Sequence, residues 1–171
     1  MSDEGRRLVV MRHAKAEPVA ASDHDRRLTA RGARDAAEAG EWARSAGVLP
    51  GHVFVSTAAR AHETWSAFSA AADLDVVPQL DAALYSAGPD AAIEVLRTAP
   101  ASETVVMIVG HNPTMAQLVH LLDDGGAEPA AFAEVAAGFP TGALAVLEVR
   151  GEWADLSMAE ARIVDFHVGR G

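Results

Sequence analysis

Three short apolar runs stand along the chain without a polar interruption: Leu8–Met11, Val53–Val55 and Val105–Val109. A half-exposed strand alternates apolar with polar residues, whereas an unbroken run fits a strand covered on both faces. Between the runs the pattern changes to apolar residues at helical spacing. Thr29 is placed as the N-cap of a first helix, in which Ala33, Ala36, Ala37, Gly40, Trp42 and Ala43 mark a stripe reaching about Ala46, with Gly47 as its stop. Trp42 is expected to face the core. A second helix is predicted from about Ala58 to Ala72. A third is opened by Gly88-Pro89-Asp90, with Pro89 at the favoured first position, and runs to about Thr98. Asn112 as N-cap and Pro113 as first helical residue open a fourth, to about Leu122.

Weaker patterns fill the rest. Leu74–Val77 reads as a short strand, and Ala143–Val149 with Arg162–Val168 as an antiparallel hairpin at a sheet edge, joined by Gly151 and a polar stretch. Residues 1–6 read as polar and loose, 16–28 as a loop, and 123–140 as a Gly-, Pro- and Ala-rich stretch with no clear element. Strands alternating with helices predict an α/β fold: a three-layer sandwich, its central sheet mostly parallel and flanked by helices, with an antiparallel edge near the C-terminus. The 171 residues are expected to form one domain.

Composition narrows the chemistry. The absence of cysteine excludes disulfides, thiol nucleophiles and thiolate metal sites. The net charge of −10 opposes binding to nucleic acid or an anionic membrane, and the basic residues, with Lys15 the only lysine, form no cluster. No signal-peptide pattern opens the chain, and no stretch approaches the roughly 18–20 apolar residues of a membrane span, so a cytoplasmic location is expected. Asp23-His24-Asp25 could be imagined as metal ligands, but a lone triplet without a second cluster reads as solvated loop. No metal or cofactor is expected.

In α/β proteins, ligands bind at the carboxyl ends of parallel strands. Here one strand delivers Arg12-His13, the second leads through Ser56-Thr57 to Arg60, and the third delivers Gly110-His111-Asn112. An arginine in the first turn of a helix opposes the helix dipole, which suggests an anion held between helix end and guanidinium; the plain alternative is an ion pair with Glu63. Arg12 and Arg60 supply planar forks that match phosphate. A neutral imidazole at His13 can attack phosphorus, and the like charge of the arginines would help keep it unprotonated. His111, if protonated, would donate to the same oxygens. His52, His62, His120 and His167 lack this placement and read as surface or structural residues. The pattern therefore points to phosphoryl transfer, with His13 as nucleophile, Arg12, Arg60 and His111 around the phosphoryl group, and Asn112 beside them as a further phosphate ligand.

The segments Leu8–Ala14, Ser56–Thr64 and Gly110–Asn112, in that order, with Leu28-Thr29 and Gly32 between the first two, resemble the histidine phosphatase superfamily, of phosphoglycerate-mutase-like fold. The short length, with no room for an inserted helical lid, is most similar to SixA-type phosphohistidine phosphatases. The resemblance implies a metal-independent phosphatase whose phosphorylated nucleophile is His13, with Arg12, Arg60 and His111 forming the phosphate pocket. It implies a phosphorylated protein as substrate; the alternatives are a phosphatase or mutase acting on a small phosphomonoester, or a non-catalytic phosphate-binding module. Two departures stand out. Ala14 occupies the position after the nucleophile where the family usually has Gly. The stretch Leu80–Ser86 lacks the Glu that larger members use as general acid, leaving Asp81 and Tyr85 as candidates. SixA-type members similarly lack that acid, which fits a phosphoramidate, whose leaving group departs readily.

Overall fold

A computed structural model describes residues 5–171. Its six strands are β1 (Arg6–Arg12), β2 (His52–Ser56), β3 (Gln79–Asp81), β4 (Val105–Gly110), β5 (Ala143–Val149) and β6 (Ala161–Val168). They form one sheet in the order β3-β2-β4-β1-β5-β6. The first four in that order pair in parallel, and β5 and β6 complete the sheet antiparallel. The helices are α1 (Ala30–Ala46), α2 (Ala59–Ala72), the single turn α3 (Ala83–Ser86), α4 (Pro89–Leu96), α5 (Thr114–Leu122) and α6 (Pro129–Ala137).

The unbroken apolar runs exist because both faces of the sheet are covered. Leu8 and Val10 of β1, Phe54 of β2, and Val106 and Ile108 of β4 join one buried cluster with side chains of α4, α5 and α6. Val9 and Met11, Val53 and Val55, and Met107 and Val109 point the other way, into a second cluster with α1 and α2. This is the three-layer α/β sandwich with an antiparallel C-terminal edge that the sequence predicts. Two glycines allow its close contacts. A Cβ on Gly40 would lie 2.2 Å from the Phe68 carbonyl oxygen, where α1 crosses α2, and one on Gly32 would lie 2.0 Å from the Lys15 carbonyl oxygen, just beyond β1.

Several boundaries differ from the sequence expectations. The third strand is Gln79–Asp81, paired to Phe54–Ser56, not Leu74–Val77. Leu74 and Val76 instead pack at the rim of the α1/α2 core, and Val77 is exposed. Arg6 opens β1 rather than belonging to a loose terminus, and residues 1–4 lie outside the described residues. The helix after β4 begins at Thr114, with Pro113 as the cap residue in place of Asn112. The stretch 123–140 contains α6, opened by Pro129. Trp42 is half-buried at the core edge and stacks on His167 with ring centroids 4.7 Å apart. No described helix is long and apolar enough to cross a membrane.

Candidate active site

Because β2, β4 and β1 are parallel neighbours, their carboxyl ends lie along one edge of the sheet, and the residues that follow them meet there. His13 is pinned through its backbone, its N–H donating to Gly110 O at 3.0 Å and its carbonyl accepting from Gly142 N at 3.1 Å. Its ring lies 5.1 Å from that of His111, centroid to centroid. Nδ1 of His13 sits 2.8 Å from the Ala14 carbonyl oxygen. A carbonyl can only accept, so the ring proton is on Nδ1 and the lone pair is on Nε2.

Ala14 is fully buried and is not among the non-glycine residues of positive φ, so its methyl group meets no backbone strain. Its N–H donates to Thr64 Oγ1 at 3.0 Å, and the Thr64 hydroxyl donates to the Arg60 carbonyl at 2.7 Å. Thr64 thus ties the turn after β1 to the first turns of α2.

Burial is the largest influence on both histidines. Together with nearby His111, Arg60 and Arg12, and against the raising effect of the Ala14 hydrogen bond, it lowers the His13 pKa to about 3. The arginines therefore contribute to keeping His13 neutral, but desolvation dominates. His111 is lowered to about 4, again chiefly by burial. It is neutral at physiological pH, so the protonated form considered for it from the sequence is not the resting one. Its Nε2 lies 2.7 Å from Ser56 Oγ. With the Ser56 hydroxyl donating to Nε2, the one ring proton of neutral His111 stays on Nδ1 as a donor.

A carboxylate of the chain itself stands beside Arg60. Arg60 is buried, and Asp23, from the 16–28 loop, takes both of its terminal nitrogens: Nη1 donates to the Asp23 carbonyl at 2.7 Å and Nη2 to Oδ2 at 3.1 Å. The Tyr85 hydroxyl donates to the same Oδ2 at 2.7 Å, and Arg26 Nε donates to Oδ1 at 3.0 Å. The Tyr85 bond first, then Arg60, hold the Asp23 carboxyl well below the usual carboxylate range. Tyr85 is raised, chiefly by the same bond. Glu63, the partner weighed for Arg60, pairs with Arg27 instead. Among the described residues no group of acidic and histidine side chains could hold a metal ion.

Asn112 and Asp81 are committed elsewhere. Asn112 Nδ2 donates to the Phe139 carbonyl at 2.8 Å and its Oδ1 accepts from Ala116 N, so the side chain ties the first turn of α5 to the strip after α6. Asp81 accepts from Ala83 N at 2.9 Å and caps α3. Tyr85 is the member of its stretch that reaches the cluster, with its ring 5.7 Å from that of His111. The sequence does not single out Ser56 or Thr64 as site residues, and it offers Asp23 only as an imagined metal ligand, not as the partner of Arg60.

Three buried nitrogens in this cluster have no hydrogen-bond partner: Arg12 Nε, Arg60 Nε and His111 Nδ1. An unpaired buried polar atom is costly, so three in one cluster set it apart from the rest of the core.

Comparison with known proteins agrees with the geometry. The profile of the histidine phosphatase superfamily (branch 1) matches residues 8–85. The chain is 40% identical over 162 residues to an uncharacterized protein, Rv1276c, of Mycobacterium tuberculosis H37Rv, covering 94% of this chain and all of the relative. Among solved structures, one from Nakamurella multipartitia assigned as a phosphohistidine phosphatase SixA superposes with a TM-score of 0.83 at 36% identity, covering 96% of each chain. Another so assigned, from Agrobacterium tumefaciens, gives 0.78 at 30% identity, covering 96% of this chain and 98% of that one.

Proposed function

Since this chain belongs to the histidine phosphatase superfamily, we propose that it hydrolyses protein phosphohistidine through a covalent phosphoryl intermediate on His13. The observation that carries the roles is the Nδ1–H of His13 held by the Ala14 carbonyl, which leaves a neutral Nε2 lone pair beside three unpaired buried donors. Nε2 attacks phosphorus while the bond from phosphorus to the leaving nitrogen breaks; the substrate ring, protonated on its other nitrogen, takes the electron pair and leaves as neutral imidazole. Arg12 Nε, Arg60 Nε and His111 Nδ1 hold the three equatorial oxygens, whose charge grows in the transition state. Water then attacks phosphorus, the P–Nε2 bond breaks with its electron pair returning to Nε2, and the phosphate leaves as dihydrogen phosphate carrying both water protons, so that His13 is again the neutral imidazole protonated on Nδ1.

The acid side of the site selects the substrate. Asp23 is held ionised by Tyr85 and Arg60, and Tyr85 holds its proton more tightly than an ordinary phenol. Neither is poised to protonate a departing serine or sugar alkoxide at neutral pH. An imidazole leaving group needs far less help, which supports a phosphoramidate. Steady-state hydrolysis of matched phosphohistidine and phosphoserine peptides tests this. At least a hundredfold higher kcat/KM is expected for the first; preference for the serine ester, or for a small phosphomonoester, defeats the substrate assignment. We place the protein in the cytoplasm and the reaction outside metal dependence, so chelators should leave turnover intact.

The lowered pKa values give a second expectation. An NMR titration should find His13 half-protonated near pH 3 and His111 near pH 4, far below the ordinary value of about 6.5. Unfolded, both histidines take up protons through pH 6.5 while the folded chain does not. Stability contributed by the neutral rings is therefore complete above about 6.5 and declines as pH falls toward 3. Midpoints near 6.5 in the folded protein would remove the argument for a pre-formed neutral nucleophile.

A further inference from the structure

A cavity of about 610 Å³ adjoins the cluster, between the end of α6 and β6. Arg12 lines it together with the apolar Phe139, Pro140, Phe166 and Val168 and with the exposed Glu134. The walls are fixed: Phe139 meets Phe166 edge-on at 5.5 Å, and the Phe139 carbonyl is held by both Arg12 Nη1 and Asn112 Nδ2. Arg12 therefore belongs to two places at once. One terminal nitrogen secures the groove wall, while its buried Nε is left for a phosphoryl oxygen. Any residue carrying that phosphoryl group would direct its neighbours along the groove.

We infer that this groove binds the polypeptide flanking the phosphohistidine, taking an apolar side chain against Phe139 and Phe166 and a lysine or arginine against Glu134. The inference rests on the phosphohistidine reading above. The volume is within the ordinary range for ligand sites and well beyond what one imidazole fills. Charge selects the partner. Glu134 is exposed, has no ion-pair partner among the described residues, and belongs to a chain of net charge −10, so it favours a cation. Arg12, which lines the same cavity, is the residue that the proposed reaction sets on the phosphoryl group. A segment with its anion at one end and a basic residue a short way along matches this polarity.

The test is kcat/KM on a set of synthetic phosphohistidine peptides in which Lys, Ala or Glu is placed in turn at each of four positions on either side. The wild type is expected to prefer Lys over Glu about fivefold at one position, the size of a single exposed ion pair. Glu134→Lys should invert that preference at the same position, and high salt should flatten both. Hydrolysis of every peptide at the same rate, or a preference that survives Glu134→Lys, overturns the groove while leaving the phosphatase reading intact. Hydrolysis of a small aryl phosphate far above every peptide assigns the groove to a small leaving group and also overturns it. Absence of any turnover and of any label on His13 overturns both readings.

Discussion

His13→Ala is expected to hold no phosphoryl group after incubation with a ³²P-labelled phosphohistidine peptide and alkaline quenching, where the wild type retains a base-stable, acid-labile label. Steady-state kcat/KM should fall by at least about four orders of magnitude, the scale at which nucleophile removal is measured elsewhere. The expectation follows from the absence of a substitute: His111, the nearest imidazole, has its Nε2 engaged by Ser56, and its free nitrogen is the one that carries the proton. His111→Ala should therefore retain label on His13 with slower turnover. Removing the ring of His13 leaves its backbone bonds to Gly110 and Gly142 in place, so a folded variant is expected and thermal unfolding would check it. Wild-type activity in His13→Ala, or label that persists there, would overturn the nucleophile assignment.

The elements that deliver these residues were legible because burial on two faces leaves a mark in the chain. Leu8 and Val10 feed one core and Val9 and Met11 the other, so no polar residue falls between Leu8 and Met11. β3 leaves no such mark. It is three residues at the sheet edge, its Leu80 half-exposed, and only backbone pairing to Phe54–Ser56 makes it a strand. Leu74–Val77 looked more like a strand because it carries apolar residues, which serve the rim of a core instead. α6 was hidden for a related reason: only Ala131 and Val135 are buried, too narrow a stripe to read among alanines. The two arginines and two histidines could be read because each follows a strong strand. Asp23 could not, since it meets Arg60 across 37 residues of sequence and nothing local marks the partner. The protonation of His111 was also out of reach, because burial, not sequence neighbours, sets it.

Arg60→Ala is expected to lower kcat/KM by about 10²–10³, the usual cost of removing one donor aimed at transition-state charge, while the covalent label on His13 stays detectable. Arg60→Lys should recover little, since one ammonium cannot hold the Asp23 carbonyl and carboxylate and still present a third nitrogen to the phosphoryl group. Asp23 acts on the same reaction in two opposing ways. Its carboxylate repels an incoming phosphate, yet it also aims Arg60 so that Nε is the nitrogen left free. The carboxylate is more than half exposed, so the repulsion is screened, whereas Arg60 is buried and its guanidinium has no other hydrogen-bond partner among the described residues to set its angle. Aiming should win: Asp23→Asn is expected to lower kcat/KM several-fold, in contrast to the gain that relieved repulsion would give. As a positioning residue, Asp23 should lose nearly all its effect once Arg60 is gone. The double variant Asp23→Asn/Arg60→Ala should then match Arg60→Ala alone, a coupling that a double-mutant cycle measures directly. Additive losses would show that Asp23 works independently of Arg60, and higher activity in Asp23→Asn would make the carboxylate a competitor for the phosphate site.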